Sequence, residues 1–225
     1  MASANSPEPA PEPADPDPDP GTDPGAGAAA NTGRYVAETV ERSAKILVVG
    51  AFGVGKTTLI GSVSEIDPLR TEELMTTASI GVDDLAGLED KRATTVAMDF
   101  GRVTVTPTLV LYLFGTPGQR RFWDLWEGLA EGAVGALVLV DTRRLEQSFE
   151  VLDQLETHTA GLPFAVAVNQ FPDSPRHEVD ELAEALDLPP RTPVIECDAR
   201  DRPGSVKALI TLVEHALSAQ KVASV

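Results

Sequence analysis

The sequence predicts an α/β fold in three layers: a mostly parallel sheet with one antiparallel edge strand, covered by helices on both faces. Three observations predict it. Short continuous apolar runs, Ile46–Val49, Val134–Val140 and Phe164–Val168, read as strands buried on both sides. Amphipathic helical repeats fall between them, the alternation that joins parallel strands by crossover helices. One further pair of runs, Val96–Val105 and Thr108–Phe114, meets at Pro107 as a hairpin does, which makes one strand antiparallel.

The elements follow in order. Residues 1–33 hold eight prolines, from Pro7 to Pro24, and six of the 35 acidic residues, with no Lys or Arg. Such a stretch cannot bury enough apolar surface to offset its chain entropy, so a disordered, semi-extended tail is expected. It reads either as a solubilising tail or as a partner-docking arm. The folded body is residues 34–225. Strand Ile46–Val49 leads through a glycine-rich loop into a helix reaching about Glu65. Residues 66–95 are a long polar connection, the kind that is usually functional. After the hairpin, Gln119–Ala130 reads as a short helix and Val134–Val140 as a strand ending at Asp141. Leu145, Phe149, Leu152 and Leu155 share a helical face, and Val179, Leu182, Ala183 and Leu186 mark another. Pro193-Val194-Ile195 is a short strand, and Val206, Leu209, Ile210, Val213 and Leu217 give the inward face of a closing helix. There is no internal repeat.

Composition narrows the function. A net charge of −17 repels nucleic acid and anionic lipid surfaces. No apolar run approaches the roughly twenty residues of a membrane span. The start, Met1-Ala2-Ser3, has neither signal-peptide regions nor a myristoylation glycine, and the single cysteine, Cys197, lies too far from the C-terminus for prenylation. One cysteine also rules out an internal disulfide framework and suits a reducing cytosol. A cytoplasmic protein is expected, reaching a membrane only through a partner. His158, His177 and His215 lack metal-ligand spacing, and no nucleophile–base–acid set for acyl transfer is present.

The chemistry is concentrated in Gly50-Ala51-Phe52-Gly53-Val54-Gly55-Lys56-Thr57, which fits the Walker A pattern at every fixed position, between a strand and a helix. Gly50, Gly53 and Gly55 let the backbone curl so that N–H groups, including those of Val54 and Thr58, point at phosphate oxygens. The helix N-terminus adds its partial positive charge. Lys56 would reach the β/γ-phosphates and the Thr57 hydroxyl would bind Mg²⁺.

Four further segments, in order, make about Lys45 to Ala219 resemble the Ras-like small GTPases. The resemblance implies a P-loop NTPase fold of the Ras-like G-domain type. Lys91-Arg92-Ala93-Thr94-Thr95-Val96-Ala97-Met98-Asp99-Phe100-Gly101 and Leu113-Phe114-Gly115-Thr116-Pro117-Gly118-Gln119 look more narrowly like the conservon-type small GTPases of actinobacteria. That likeness implies a roadblock-type partner and a sensor-kinase-like membrane protein. By resemblance Thr95, or Thr94 one residue out of register, is the first-switch threonine that binds Mg²⁺. Gly118 would donate its N–H to the γ-phosphate, and Gln119 would orient the attacking water. Arg120 and Arg121 read as an intrinsic arginine finger or as a solvated helix start. Where the superfamily has an Mg²⁺-water aspartate this chain has Gly115, from which looser metal binding and slow turnover are expected; Asp99 or Asp141 could substitute. Asn169 matches the base-recognition segment, but Gln170 replaces its lysine and Asp173 comes one position late. Asp173 is either the base-pairing acid on a bulged loop or a turn residue. Glu196-Cys197-Asp198-Ala199-Arg200 resembles the last guanine loop, with the Ala199 N–H on the guanine O6. Phe122, Trp123 and Trp126 form either a partner surface or core packing.

The implied cofactors are GTP/GDP and Mg²⁺, and the expected activity is a slow GTPase acting as a switch through residues 66–95 and 115–126. A nucleotide-dependent scaffold with little hydrolysis is the alternative, ATP in place of GTP is open, and a small-molecule kinase lacks the basic lid it would need.

Overall fold

The computed structural model describes residues 38–67, 69–70, 98–159 and 161–223. The acidic tail and residues 71–97, with Thr94 and Thr95, lie outside the described residues.

The strands are β1 (Arg42–Val49), β2 (Leu69–Arg70), β3 (Asp99–Thr106), β4 (Leu109–Gly115), β5 (Ala133–Val140), β6 (Phe164–Asn169) and β7 (Val194–Cys197). They form one seven-stranded sheet in the order β2-β3-β4-β1-β5-β6-β7. From β4 to β7 all pairs are parallel, whereas β3 runs antiparallel to β4. The hairpin is therefore as predicted, but its antiparallel strand is not the edge, because the two-residue β2 pairs outside it. The strand bounds differ from those the sequence suggests: β1 opens at Arg42 rather than Ile46, and β5 at Ala133 rather than Val134.

The helices are α1 (Lys56–Val63), α2 (Trp126–Ala130), α3 (Glu146–His158), α4 (Val179–Ala185) and α5 (Arg202–Ala223). Alternation along the strands sends each face of the sheet to its own core. Ile46, Val48, Leu111, Leu113, Leu137 and Leu139 pack with α1 and α5 on one face. Leu47, Val49, Val138, Val140, Val166 and Val168 pack on the other with Trp126, Val151, Leu152, Leu155 and Leu182 of α2, α3 and α4. Residues 46–49 are wholly buried.

Three helix faces differ from expectation. In α5 the buried stripe is Ser205, Ala208, Leu209, Leu212 and Ala216, one residue back from the predicted set, leaving Ile210 and Leu217 exposed. Small residues let the helix lie close to β5 and β6, which the larger Ile210 and Leu217 would prevent. In α3 Val151 takes the place assigned to Phe149, which is exposed, and in α4 Val179 is exposed while Leu182 and Leu186 are buried. The predicted helix over 119–130 is a 3₁₀ turn at Arg120–Leu125 that passes into α2. Trp126 is wholly buried and Trp123 packs at 6.1 Å from it, so the tryptophan pair belongs mainly to the core.

β1 sits between β4 and β5, so the sheet changes direction of growth at its C-terminal end. In open α/β sheets ligands bind at that crevice. The Walker A loop leaves β1 there.

Candidate functional site

The loop from Gly50 to Gly55 runs from β1 into α1 on a backbone that side chains would forbid. Gly50 has φ +148°, and a Cβ on it would meet the Leu139 carbonyl at 2.7 Å. Gly55, with φ +109°, stands as the N-cap of α1, and a Cβ there would lie 2.5 Å from Asn169 Nδ2. Gly53 is also left-handed, at φ +75°. The cradle is thus built from main-chain groups at close quarters.

Lys56 reaches back across it, donating to the carbonyls of Gly50 at 2.7 Å and Ala51 at 2.9 Å. The side chain is buried, and burial pushes its pKa down to about 8, with the Asp99 charge partly opposing. A cation held so against dehydration is set to receive an anion. Thr57 and Thr58 begin α1 at its exposed surface. The Thr57 hydroxyl donates to Asp99 Oδ2 at 2.5 Å.

The predicted second-switch segment leaves β4 against this cradle. The Thr116 N–H donates to the Val48 carbonyl at 2.9 Å. Gly118 comes so close that a Cβ on it would meet Lys56 Nζ and Phe52 N at 2.8 Å each. Gln119 follows at half-buried depth on extended backbone. Arg120 forms an exposed ion pair with Glu150 of α3.

The predicted base end lies where β6 and β7 finish. Asn169 is buried; its Nδ2 donates to the Val54 carbonyl at 2.9 Å and its Oδ1 accepts the Ala199 N–H at 2.9 Å. One side chain therefore ties the phosphate loop to the loop after β7. The Ala199 N–H expected on a guanine is engaged by Asn169. Asp173 is exposed and lies within electrostatic reach of Arg143, whose pKa is raised chiefly by Asp141 and further by Asp173. Arg143 stacks 3.7 Å over the Phe171 ring and makes a two-point ion pair with buried Asp141. Hydrogen bonds from Arg143 first, then Arg144, hold the Asp141 carboxyl below its usual range. Asp141 is committed there, at the end of β5.

Residues 48–219 match the family described as conserved hypothetical ATP binding protein. The chain belongs to that family. An uncharacterised protein of Methanocaldococcus jannaschii is 29% identical over 128 residues, 56% of this chain and 69% of that protein. Human Ras-related protein Rab-7b is 26% identical over 182 residues, covering 77% of this chain and 82% of its own. Human Ras-related protein Rab-40A-like is 28% identical over 151 residues, 63% of this chain and 48% of its own, about half its length. Among solved structures, the G domain of the T. maritima FeoB iron transporter superposes with a TM-score of 0.54 at 18% identity, covering 78% of this chain and 99% of that one. The fold is that of a P-loop GTPase G domain, and the family is one of nucleotide-binding proteins.

Within that family setting, the fold brings Gly50, Gly53, Val54, Gly55, Lys56, Thr57, Thr58 and Gly118 to one crevice, with Asn169 and Ala199 at its side. Asp173 is exposed and lies within electrostatic reach of Arg143. Sequence reading missed the Arg143–Phe171 stack, for which the adjacent Arg143-Arg144 pair was the sole hint. Among the described residues no group of three or more His, Cys, Asp or Glu forms a metal cluster, and no helix is long and apolar enough to cross a membrane.

Proposed function

We propose that this protein is a GTP-binding molecular switch that slowly hydrolyses GTP to GDP and controls partner binding through residues 66–95 and 115–126. The observation that carries the reading is how near Gly118 lies to the cradle, where a Cβ on it would stand 2.8 Å from both Lys56 Nζ and Phe52 N. A terminal phosphate reaching Lys56 must be contacted by Gly118 or displace it. Either event moves the segment that continues into Gln119 and the 3₁₀ turn, and hydrolysis reverses it.

The chemistry needs little covalent help from the protein, since placement and charge neutralisation supply most of the rate. Lys56 and the loop amides bind the phosphates. Gln119 positions water in line with the γ-phosphorus. Thr57 and, by resemblance, Thr95 would hold Mg²⁺, which would supply positive charge against the phosphates. Arg120 pairs at the surface with Glu150, and Arg144 with Asp141. The partners that fit the narrower resemblance are a roadblock-type regulator and a sensor-kinase-like protein, with any membrane contact made through them. Hydrogen exchange over residues 115–126 tests the switch. Slower exchange with a non-hydrolysable GTP analogue than with GDP is expected, and identical exchange sinks it.

A second reading, ATP in place of GTP, is favoured by the base end: the Ala199 N–H is engaged, Asp173 faces Arg143, and Gln170 stands in place of a lysine. Competition between GTP and ATP decides. Under the GTP reading Asp173→Asn costs about 100-fold or more in GTP affinity alone, as a buried recognition pair does when broken. Under the ATP reading it changes neither nucleotide.

A further inference from the structure

We propose that Asp99 supplies the carboxylate for the Mg²⁺ site, delivered from β3 rather than from position 115 at the end of β4. The inference rests on the triphosphate reading above and names a residue of that same site.

Three observations converge. First, Asp99 is paired directly opposite Gly115 across the antiparallel β3–β4 ladder. Opposed residues on one ladder project to the same face, so a carboxylate lost at 115 can be replaced from 99. Second, a Cβ added to Gly115 would lie 3.1 Å from Asp99 Cβ and 3.4 Å from Asp99 Oδ2. The Asp99 side chain fills the space that a residue-115 side chain would enter, and the glycine makes room for it. Third, Asp99 Oδ2 accepts the Thr57 hydroxyl at 2.5 Å. A hydroxyl that donates its proton to a carboxylate keeps its oxygen lone pairs for a cation, so Asp99 orients Thr57 as a ligand while adding negative charge beside it.

Mg²⁺ is well served by this arrangement, because it typically takes one or two protein oxygens and completes its shell with phosphates and water. The other candidate, Asp141, is excluded by its commitment to Arg143 and Arg144. The expectation of loose metal binding drawn from Gly115 is thereby replaced: metal affinity should be ordinary, with the charge relocated by one strand.

The test uses the full chain loaded with GDP and titrated with Mn²⁺ as a paramagnetic probe, with thermal melting as the folding control. Asp99→Asn, nearly isosteric, should weaken Mn²⁺ binding by about 10- to 100-fold, the loss usual for a supporting carboxylate. Asp99→Gly should do the same, and adding Gly115→Asp to it should restore most of the affinity, because the space once filled by Asp99 is then open. Unchanged Mn²⁺ affinity in Asp99→Asn, or no recovery in a folded double variant, overturns the proposal while leaving nucleotide binding intact. Failure of the wild-type chain to take up any nucleotide overturns it together with the function on which it rests.

Discussion

The two ends of the crevice are built in opposite ways. At the phosphate end the groups are main-chain amides and one lysine, from the loop at residues 50–58 and from Gly118, and the glycines there are required by backbone angles and by contacts under 3 Å. At the base end the groups are side chains contributed by the exits of β5, β6 and β7: Asp141 and Arg143, Asn169 and Phe171, and the loop at Ala199. Backbone cradles tolerate little variation because a Cβ or a changed φ destroys them. Side-chain sites can be rewired, and here Asp173 and Gln170 depart from the pattern while Asn169 does not. On the proposed reading, the end that would take the triphosphate is fixed by backbone geometry, and the end that would take the base, built from side chains, is where this chain departs from the Ras-like pattern.

The largest expected effect breaks the phosphate end alone. Lys56→Ala removes a buried cation that a phosphate would pair with; a charge-assisted contact of this kind is worth about 2–4 kcal/mol, or roughly 30- to 1000-fold in affinity. The loss should be equal for GTP and ATP in calorimetric titration, and a loss confined to one base would erase the division between the ends. Next in size is Asn169→Ala, which strikes the joint between them. It leaves the Val54 carbonyl and the Ala199 N–H without their 2.9 Å partner inside the protein. A cost of about 2–3 kcal/mol in denaturant unfolding is expected, with weaker binding of every nucleotide. Intact phosphate binding in a destabilised variant would show that the ends are independent.

How far the sequence reaches depends on the same contrast. The Walker A loop, the apolar strand runs and the hairpin are local patterns, and the fold contains them. Position 99 was visible as an acid but not as a partner of Gly115. Counting back from the Thr106–Leu109 pair along a regular ladder puts Phe100 opposite Gly115; an irregularity between Thr104 and Thr106 shifts the register and brings Asp99 there instead. A one-residue slip in a strand exchanges its faces, so the site's carboxylate hinged on a bulge that no periodicity announces. The face of α5 was off by one residue for a related reason: Ala208 and Ala216 carry little hydropathic signal, yet close approach to the sheet selects them over Ile210 and Leu217.

The smallest effect isolates the phosphate end by its proton. In the free protein burial holds Lys56 at about 8, below its ordinary value of 10.5, with Asp99 opposing. Between those values the unfolded chain binds more protons than the folded one, so stability of the free protein rises with pH across that window; the burial penalty is fully present below pH 8 and is lost above it. A bound phosphate restores the charge on Lys56, so binding takes up a proton, and affinity falls as pH rises through 8. The two signs are opposite. At pH 8 roughly half a proton should be taken up per nucleotide, read from titrations in buffers of different ionisation enthalpy. GTP and ATP should give the same value, since the base lies beyond the reach of Lys56. Asp99→Asn, which removes the opposing charge, should move the fall in affinity to lower pH; a fall that stays in place would mean that Asp99 and Lys56 do not share one field.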